Sequence, residues 1–416
     1  MMRIGKFAEK FNVKIDTIRY YMELGLLIPK KKNHYYEFDA TCEEDMEWII
    51  ELKSYHFTLQ EINNVLAIKR VTSLTNKEDI GFLVQMLEEK KISLLEEVEQ
   101  TKQTIDAIEN KITDINTEQF GELETTGMPF DFISLLYCPA CQAALELQNV
   151  YTKGQQIMTG DLSCPECQYL AKIKEGIIIT EHLNKDSFNP FYIYDIDMLK
   201  TVQSSFISLS EKAGLYIKEQ LLSQPLKNKV VLEANVNTYV FLDKYVADLD
   251  PDARYIFTGS TFSMLKMLKT KIEQSQPNLH VLYVLNSGLD LPFRHGSIDY
   301  MIDSYSFNEY SLFHQILPMK QLKPYLHSNT LIIGCYFEYK ETAKTLLKLK
   351  ELHPNGHPDN LKASYIMENL QFGNFHVLDK EKVGQTTDPG KYIKYHVPGE
   401  IAEFFTYTAQ RNQTQT

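Results

Sequence analysis

Hydrophobic side chains return every 3.5 residues in the segment after residue 77. Ile80, Val84, Leu87, Lys91, Leu94, Val98, Thr101, Ile105, Ile108, Ile112 and Ile115 follow strict 4-3 spacing, and nine of these eleven seam positions are apolar. A helix packed on its own domain drifts with a period of 3.6, so a repeat this long and this strict wants a partner helix. The pattern predicts a helix of about 60 Å over residues 71–120 that pairs as a dimeric coiled coil.

The pattern ahead of it is different. Ile4, Phe7, Ala8 and Phe11 sit at helical spacing, Asn12-Val13 makes a tight turn, and a second helix over Lys14–Leu24 puts Ile15, Ile18 and Tyr21 on one face before Gly25 ends it. Pro29 and the lysines behind it read as a loop, His34–Phe38 alternates like a short hairpin wing, and helices resume at Glu43–Tyr55 and Leu59–Leu66. Residues 1–70 are therefore expected to form a small helical domain.

Beyond residue 226 short apolar runs alternate with helical stretches. Lys229–Glu233, Arg254–Phe257, His280–Val284, Ile298–Ile302 and Thr330–Ile333 read as buried strands, with helices such as Thr261–Glu273 between them. That alternation implies a mainly parallel sheet covered on both faces over residues 226–410, closed by an antiparallel pair, Phe375–Leu378 and Glu403–Ala409. The connection 183–225 reads as mostly helical, and the polar tail Arg411–Thr416 as frayed. The fold class expected is multidomain α plus α/β.

Composition narrows the function. The 416 residues are 44% hydrophobic and 24% charged, as in a globular chain, and hold no apolar run that could span a bilayer; Met1–Asp16 has neither the apolar core nor the cleavage site of a secretory leader, so secretion is not expected. A soluble, cytoplasmic protein without membrane contact is expected. The net charge of −12 excludes a chain that coats nucleic acid along its whole surface. Residues 1–36, however, carry eight basic against three acidic side chains, while residues 37–70 carry three against eight. A positive tip on an acidic protein fits a DNA-binding head.

Cys138-Pro-Ala-Cys141 and Cys164-Pro-Glu-Cys167 are separated by twenty-two residues that read as a hairpin between two cysteine knuckles. Each C-x-x-C turn sets two thiolates at the separation a tetrahedral zinc ion requires. With all four positions filled by sulfur, the expected zinc ribbon of residues 136–182 is structural rather than catalytic. Cys42 and Cys335 read as small buried hydrophobes.

The N-terminal segment resembles the MerR family of bacterial transcription regulators. The resemblance rests on Ile4-Gly-Lys-Phe-Ala8, Val13, Thr17-Ile-Arg-Tyr-Tyr21, Gly25-Leu-Leu, Tyr35–Phe38, Glu44-Asp45-Met46, Leu52-Lys53 and Phe57–Ile62. It covers residues 3–68 and, with the coiled coil, extends to about 118. A winged helix-turn-helix is implied. A helix starting near Lys14 can enter the major groove, with Lys14, Thr17 and Arg19 reaching phosphates or base edges, and Tyr20, Tyr35 and Tyr36 clamping the flanking backbone. By resemblance Lys53 is a further phosphate contact. Two positions depart from the family pattern: Asp16 stands where a basic residue is usual, and Tyr36 replaces a wing arginine. The resemblance also implies a homodimer on double-stranded promoter DNA that influences RNA polymerase indirectly, by deforming the duplex in response to an effector. No Cys or His occurs between His56 and Cys138, so metal sensing beyond the dimer helix is not expected.

The last part resembles the Rossmann-like S-adenosylmethionine-dependent methyltransferases, and the ribbon resembles one that precedes an rRNA methyltransferase of that class. Val231–Tyr239, Met264-Leu265, Asp290–Phe293 and Gly296–Ile302 carry the likeness. An active member has Gly-x-Gly-x-Gly in the first loop, where bare backbone approaches the cofactor. Here those places hold Asn235, Asn237 and Tyr239; the ribose-binding acid aligns with Gly259, and the acid near the adenine with Ser287. Only Glu233 is retained. The expectation is that S-adenosylmethionine binding and catalysis are lost and that the crevice near Glu233, Asn235, Asn237, Tyr239 and Ser287 is reused for a small-molecule effector or a protein contact. The alternative is a methyltransferase acting on RNA or a small molecule and carrying a DNA-binding head.

Overall fold

The computed structural model describes residues 1–32, 35–72, 77–117, 125–180, 202–236, 241–391 and 393–412. It divides into two compact units, Met1–Gln119 and Phe120–Thr416. His34, Asn237 and Tyr239 lie outside the described residues, as do all of 183–201 and the last four residues of the tail.

Unit 1 is built on α1 (Ile4–Lys10), α2 (Ile15–Glu23), α3 (Ala40–Ser54), α4 (Leu59–Thr72) and α5 (Lys77–Thr117), with a three-stranded sheet of β1 (Met2–Arg3), β2 (Lys30–Lys32) and β3 (Tyr35–Phe38) in the order β1-β3-β2. The lysine run expected in a loop is thus a strand, paired antiparallel with the tyrosine strand. Phe7, Ile18, Leu26, Phe38, Ile49, Ile62 and Leu66 make the core. Helix starts are chemically marked. Asp39 accepts from the Cys42 N–H at 3.2 Å to cap α3, and the backbone donor holds its carboxyl below the usual range. Thr58 and Glu61 form a capping box on α4: the Glu61 carboxylate accepts the Thr58 N–H at 2.6 Å and the Thr58 hydroxyl accepts the Glu61 N–H at 3.3 Å. Glu61 also takes Lys90 of α5 at 3.0 Å, fixing the long helix where it leaves the core. A buried carboxylate, Asp45, receives Arg70 at 2.8 Å and Lys69 at 3.2 Å, while Arg70 donates to the carbonyls of Gly25 and Leu26. The turn that ends α2 is thereby locked to α3 and α4.

Unit 2 is a mixed sheet of twelve strands among the described residues. Its centre is β9 (Val230–Glu233), β10 (Arg254–Gly259), β11 (His280–Leu285), β12 (Ile298–Ser304) and β13 (Leu326–Glu338), all parallel, with β15 (Ala402–Arg411) antiparallel beside β13 and β14 (Phe375–Thr386) at the edge. The order β13-β12-β9-β10-β11 reverses direction between β9 and β12, the topological switch of a doubly wound, Rossmann-like sheet. Flanking helices are α6 (Ser204–Leu222), α7 (Phe262–Ser275), α8 (Ser306–Tyr310), α9 (Pro318–Leu322), α10 (Lys344–Leu352) and α11 (Ala363–Phe372). Two separate apolar cores, one on each face, bury the strands from both sides. Bulges in β14 and its alternating Asp379, Lys380, Glu381 and Lys382 blunt the exposed edge against further pairing.

The cysteine segment continues the same sheet. A hairpin of β5 (Glu146–Lys153) and β6 (Gln156–Ser163) leads through β7 (Leu170–Lys174) to β8 (Ile177–Ile179), which pairs parallel with β11; β4 (Met128–Pro129) adds to β6. Cys42 and Cys335 are buried, as their spacing apart from the other four suggested. Among the described residues no helix is long and apolar enough to cross a membrane.

The chain enters unit 2 through a buried clasp. Lys269 of α7, only 2% exposed, donates to the Thr126 carbonyl at 2.5 Å and pairs with Glu273, which in turn accepts the Thr126 N–H at 3.1 Å and its hydroxyl. Burial pulls the Lys269 ammonium below its ordinary value, with Glu273 opposing. Lys269→Met should destabilise unit 2 by about 3 kcal/mol in urea unfolding, because it strands a buried carboxylate. The double variant Lys269→Met/Glu273→Leu should recover most of that loss.

Candidate functional site

Helix α2 follows Lys14, whose extended backbone starts it. Ile18 and Tyr21 face the core; Lys14, Arg19 and Tyr20 are exposed and Thr17 is half-buried. Arg19 pairs with Asp16 at 3.0 Å, both in solvent, so the helix's central cation already has a counter-charge. Lys53 donates to the Tyr21 hydroxyl at 3.2 Å, which holds it against α2. On the wing, Lys31 pairs across the sheet with Tyr36 and Lys32 with Tyr35, and all four side chains are exposed. Lys30 and Lys32 lie 3.4 and 3.7 Å from Asp39 and Glu37, whereas Lys31 makes no ion pair among the described residues. The Arg3 guanidinium sits 4.7 Å from the Tyr35 ring centre, a cation–π contact that orients the ring. Arg3 and the wing lysines were not singled out from sequence, although three lysines opposite two tyrosines at period two was a usable signal.

In unit 2 the sulfurs of Cys138, Cys141, Cys164 and Cys167 all lie within 4.8 Å of one another. Three of the separations are 3.4, 3.5 and 3.9 Å. Four thiolates about 2.3 Å from one ion sit about 3.8 Å apart, whereas a disulfide needs about 2.05 Å. The cluster therefore fits a tetrahedral metal centre. Its first knuckle is docked on another loop: Tyr137 N–H donates to the Pro292 carbonyl at 3.0 Å, the Gln142 amide to the Phe293 carbonyl at 3.3 Å, and His295 N–H to the Gln142 side chain at 2.9 Å. The Asp290–Phe293 segment is thus supported by the cysteine centre.

At the switch point a buried carboxylate stands on each of two neighbouring strands, Glu233 on β9 and Asp303 on β12, projecting to opposite faces of the sheet. Glu233, 1% exposed, accepts from Phe241 N–H at 2.6 Å, Leu242 N–H at 3.0 Å and the Ser304 hydroxyl at 2.8 Å. It thus caps the 3-10 turn Leu242–Asp248, while burial raises its carboxyl to about 7. Asp303 accepts from Tyr407 and Ser306 hydroxyls, both at 2.7 Å, and from Phe307 N–H at 3.1 Å; burial raises it too. Asn235 adopts a left-handed backbone at φ 54°, donates its N–H to the Thr258 hydroxyl at 3.0 Å and reaches across to the Ser306 carbonyl at 3.4 Å. Val236 N–H then donates to the Thr258 carbonyl at 2.7 Å, so close to β10 that a Cβ on Gly259 would stand 3.1 Å from the Val236 carbonyl. Ser287 lies half-buried just past β11. Tyr305, left-handed at φ 60° and buried, packs with Phe206, Phe337 and Phe404 over the ends of β12, β13 and β15. Neither Asp303 nor Tyr305 was read from sequence as part of the site. An acid closing the Ile298–Ile302 strand was available as a signal for the first; nothing local marks the second.

The chain matches the family described as MerR HTH family regulatory protein over residues 2–68. It is 31% identical over 118 residues to the HTH-type transcriptional regulator YfmP of Bacillus subtilis (strain 168), covering 27% of this chain and 80% of that one. It is 28% identical over 102 residues to the mercuric resistance operon regulatory protein of Bacillus cereus, covering 24% of this chain and 77% of that one. Solved structures similar to 49% of the chain include a geranyl diphosphate methyltransferase (TM-score 0.37, 9% identity, 85% of that chain). A putative sarcosine dimethylglycine methyltransferase from Galdieria sulphuraria matches the same share (TM-score 0.39, 7% identity, 86% of that chain).

Because Glu233 is held protonated more readily folded than unfolded, its contribution to stability is complete below about 4.5 and is lost as pH rises toward about 7. The wild-type chain should therefore lose on the order of 3 kcal/mol between those pH values in urea unfolding, relative to the pH profile of Glu233→Gln. Parallel profiles would place the ionisation elsewhere.

Proposed function

The chain belongs to the MerR HTH family of regulatory proteins, and on that premise we propose that it is a dimeric promoter-binding regulator whose C-terminal unit senses an effector instead of methylating a substrate. The observation that carries this reading is a contrast. The exposed face of α2 and its wing presents cations and tyrosines to a partner, whereas the switch-point carboxylates of unit 2 are held by their own chain.

In this proposal α2 enters the major groove with Lys14, Thr17 and Arg19 on base edges and phosphates, and Tyr20, Tyr35, Tyr36 and Lys53 hold the flanking backbone. With Asp16 against Arg19, fewer phosphates are neutralised and affinity falls only gently with salt. Polymerase is reached indirectly, through the deformation of the spacer DNA. The place of action is the cytoplasm, where the promoter lies.

Dimerisation uses α5. Val84, Val98, Ile105, Ile108, Ile112 and Ile115 are each half or more exposed along one stripe. The stripe runs into an apolar groove of about 500 Å³ lined by Tyr55, Phe57, Leu87, Leu94, Leu95 and Val98. A second copy is the occupant of matching period. Zinc is the metal proposed for the four cysteines, with a structural role, since no ligand position is left for water or substrate.

Arg19→Ala should abolish protection of promoter DNA in footprinting while leaving the unfolding midpoint unchanged; a surviving footprint would move the recognition surface off α2. Leu94→Lys/Ile108→Lys should sediment as a monomer, and a persistent dimer would locate the seam elsewhere. Elemental analysis should find one zinc per chain. Chelation should raise hydrogen exchange in residues 136–180 and also in 290–296, which rest on the first knuckle; uniform exchange across unit 2 would contradict that role.

A further inference from the structure

Unit 2 holds a second concavity, to one side of the switch point. A cavity of about 370 Å³ lies where the residues following α8 meet the end of α10 and the turn His353–Pro358. Its size is at the lower end of small-molecule sites, enough for a ligand of one or two rings.

The walls are built, not loose. His357 N–H donates to the Ser311 carbonyl at 2.9 Å, tying the turn to the end of α8. Gly356 packs so tightly there that a Cβ would come within 2.7 Å of the Leu312 carbonyl. Pro354 and Pro358 bracket the same turn and restrict its backbone. Leu312 and Leu349, both buried, add an apolar floor.

The polar lining is sparse. Lys350 is exposed at the rim and makes no ion pair among the described residues. The neighbouring acid, Asp359, pairs with Lys362 and also lies within electrostatic reach of Lys350. His357 accepts the Asp359 N–H on Nδ1 at 3.2 Å, which leaves Nε2 to carry the ring's proton as a donor. Burial holds both His353 and His357 below the ordinary imidazole value, so neither is a cation at neutral pH. His353 instead offers a ring, edge-on to Phe313 at 5.3 Å. Gln315 supplies a further amide.

One cation, neutral donors and apolar walls suit a single negative charge on an apolar body. A phosphate dianion or a nucleotide would require more cations than the lining contains. We propose that this cavity binds a small organic monocarboxylate with an aromatic or alicyclic body. Its carboxylate meets Lys350, His357 Nε2–H and Gln315, and its body lies among Leu312, Leu349 and the two prolines. The binding claim stands on the cavity alone; only its regulatory meaning rests on reading unit 2 as the sensor.

The test is calorimetric titration of the full-length, zinc-loaded protein with 2-naphthoate and with the uncharged isostere 2-naphthamide. The expected result is saturable binding of the acid, with the amide about tenfold weaker. Lys350→Met should weaken the acid by about tenfold and leave the amide unchanged. An unaltered thermal midpoint of the ligand-free variant shows that it folds, and His357→Asn gives an independent loss. Absence of binding at millimolar acid, equal affinity for acid and amide, or unchanged affinity in Lys350→Met overturns the proposal. Transcription in vitro from the bound promoter with and without 2-naphthoate separates the two ideas: binding that leaves transcript yield unaltered supports the site and counts against the sensor reading.

Discussion

A carboxylate buried at the end of a central strand must find donors, and in this chain Glu233 finds all of them at home. That requirement shapes the neighbourhood. Two backbone N–H groups must come to the carboxylate, which fixes the start of the turn after the first loop. Asn235 and Val236 are meanwhile drawn onto Thr258 at the end of β10. The N–H groups of Asn235 and Val236 are thereby spent on the sheet rather than left for a ligand's oxygens. Asn235 also carries a side chain where a cofactor loop of the resembled class has glycine.

The same accounting of charge separates the two ends of the molecule. In unit 1 the buried Asp45 is matched by Arg70 and Lys69, and the cost of burying it secures the turn behind α2. The cations left in solvent are only lightly paired, and exposed pairs such as Arg19–Asp16 contribute little to stability, so they can be exchanged for phosphate contacts. The cysteine centre plays a comparable bracing role in unit 2, since its first knuckle carries the loop that leads into β12.

Much of this was legible where the signal is local and periodic. The long helix α5 was legible in its sustained apolar period, and the cysteine cluster in the paired C-x-x-C turns. The five central strands were readable because burial on both faces makes each an unbroken apolar run. Elsewhere long-range pairing decided. Ile177–Ile179 is three residues long and becomes a strand because β7 pairs antiparallel on one side and β11 parallel on the other. Lys30–Lys32 has the composition of a loop and is a strand because Tyr35–Phe38 pairs with it. Tyr305 adopts a left-handed backbone that a bulky residue disfavours, and only the surrounding rings of Phe206, Phe337 and Phe404 account for it. The expectation that Ser287 lines the crevice came from family resemblance, and so did the contrast at Gly259; neither came from any pattern in the chain itself.

Whether the first loop still accepts a nucleoside sulfonium is decided by equilibrium titration of the full-length protein, purified with zinc supplied, with S-adenosylmethionine, read by calorimetry. No saturable heat at millimolar ligand is the predicted outcome. Micromolar binding that Asn235→Ala weakens would contradict it, and would return unit 2 to the enzymes.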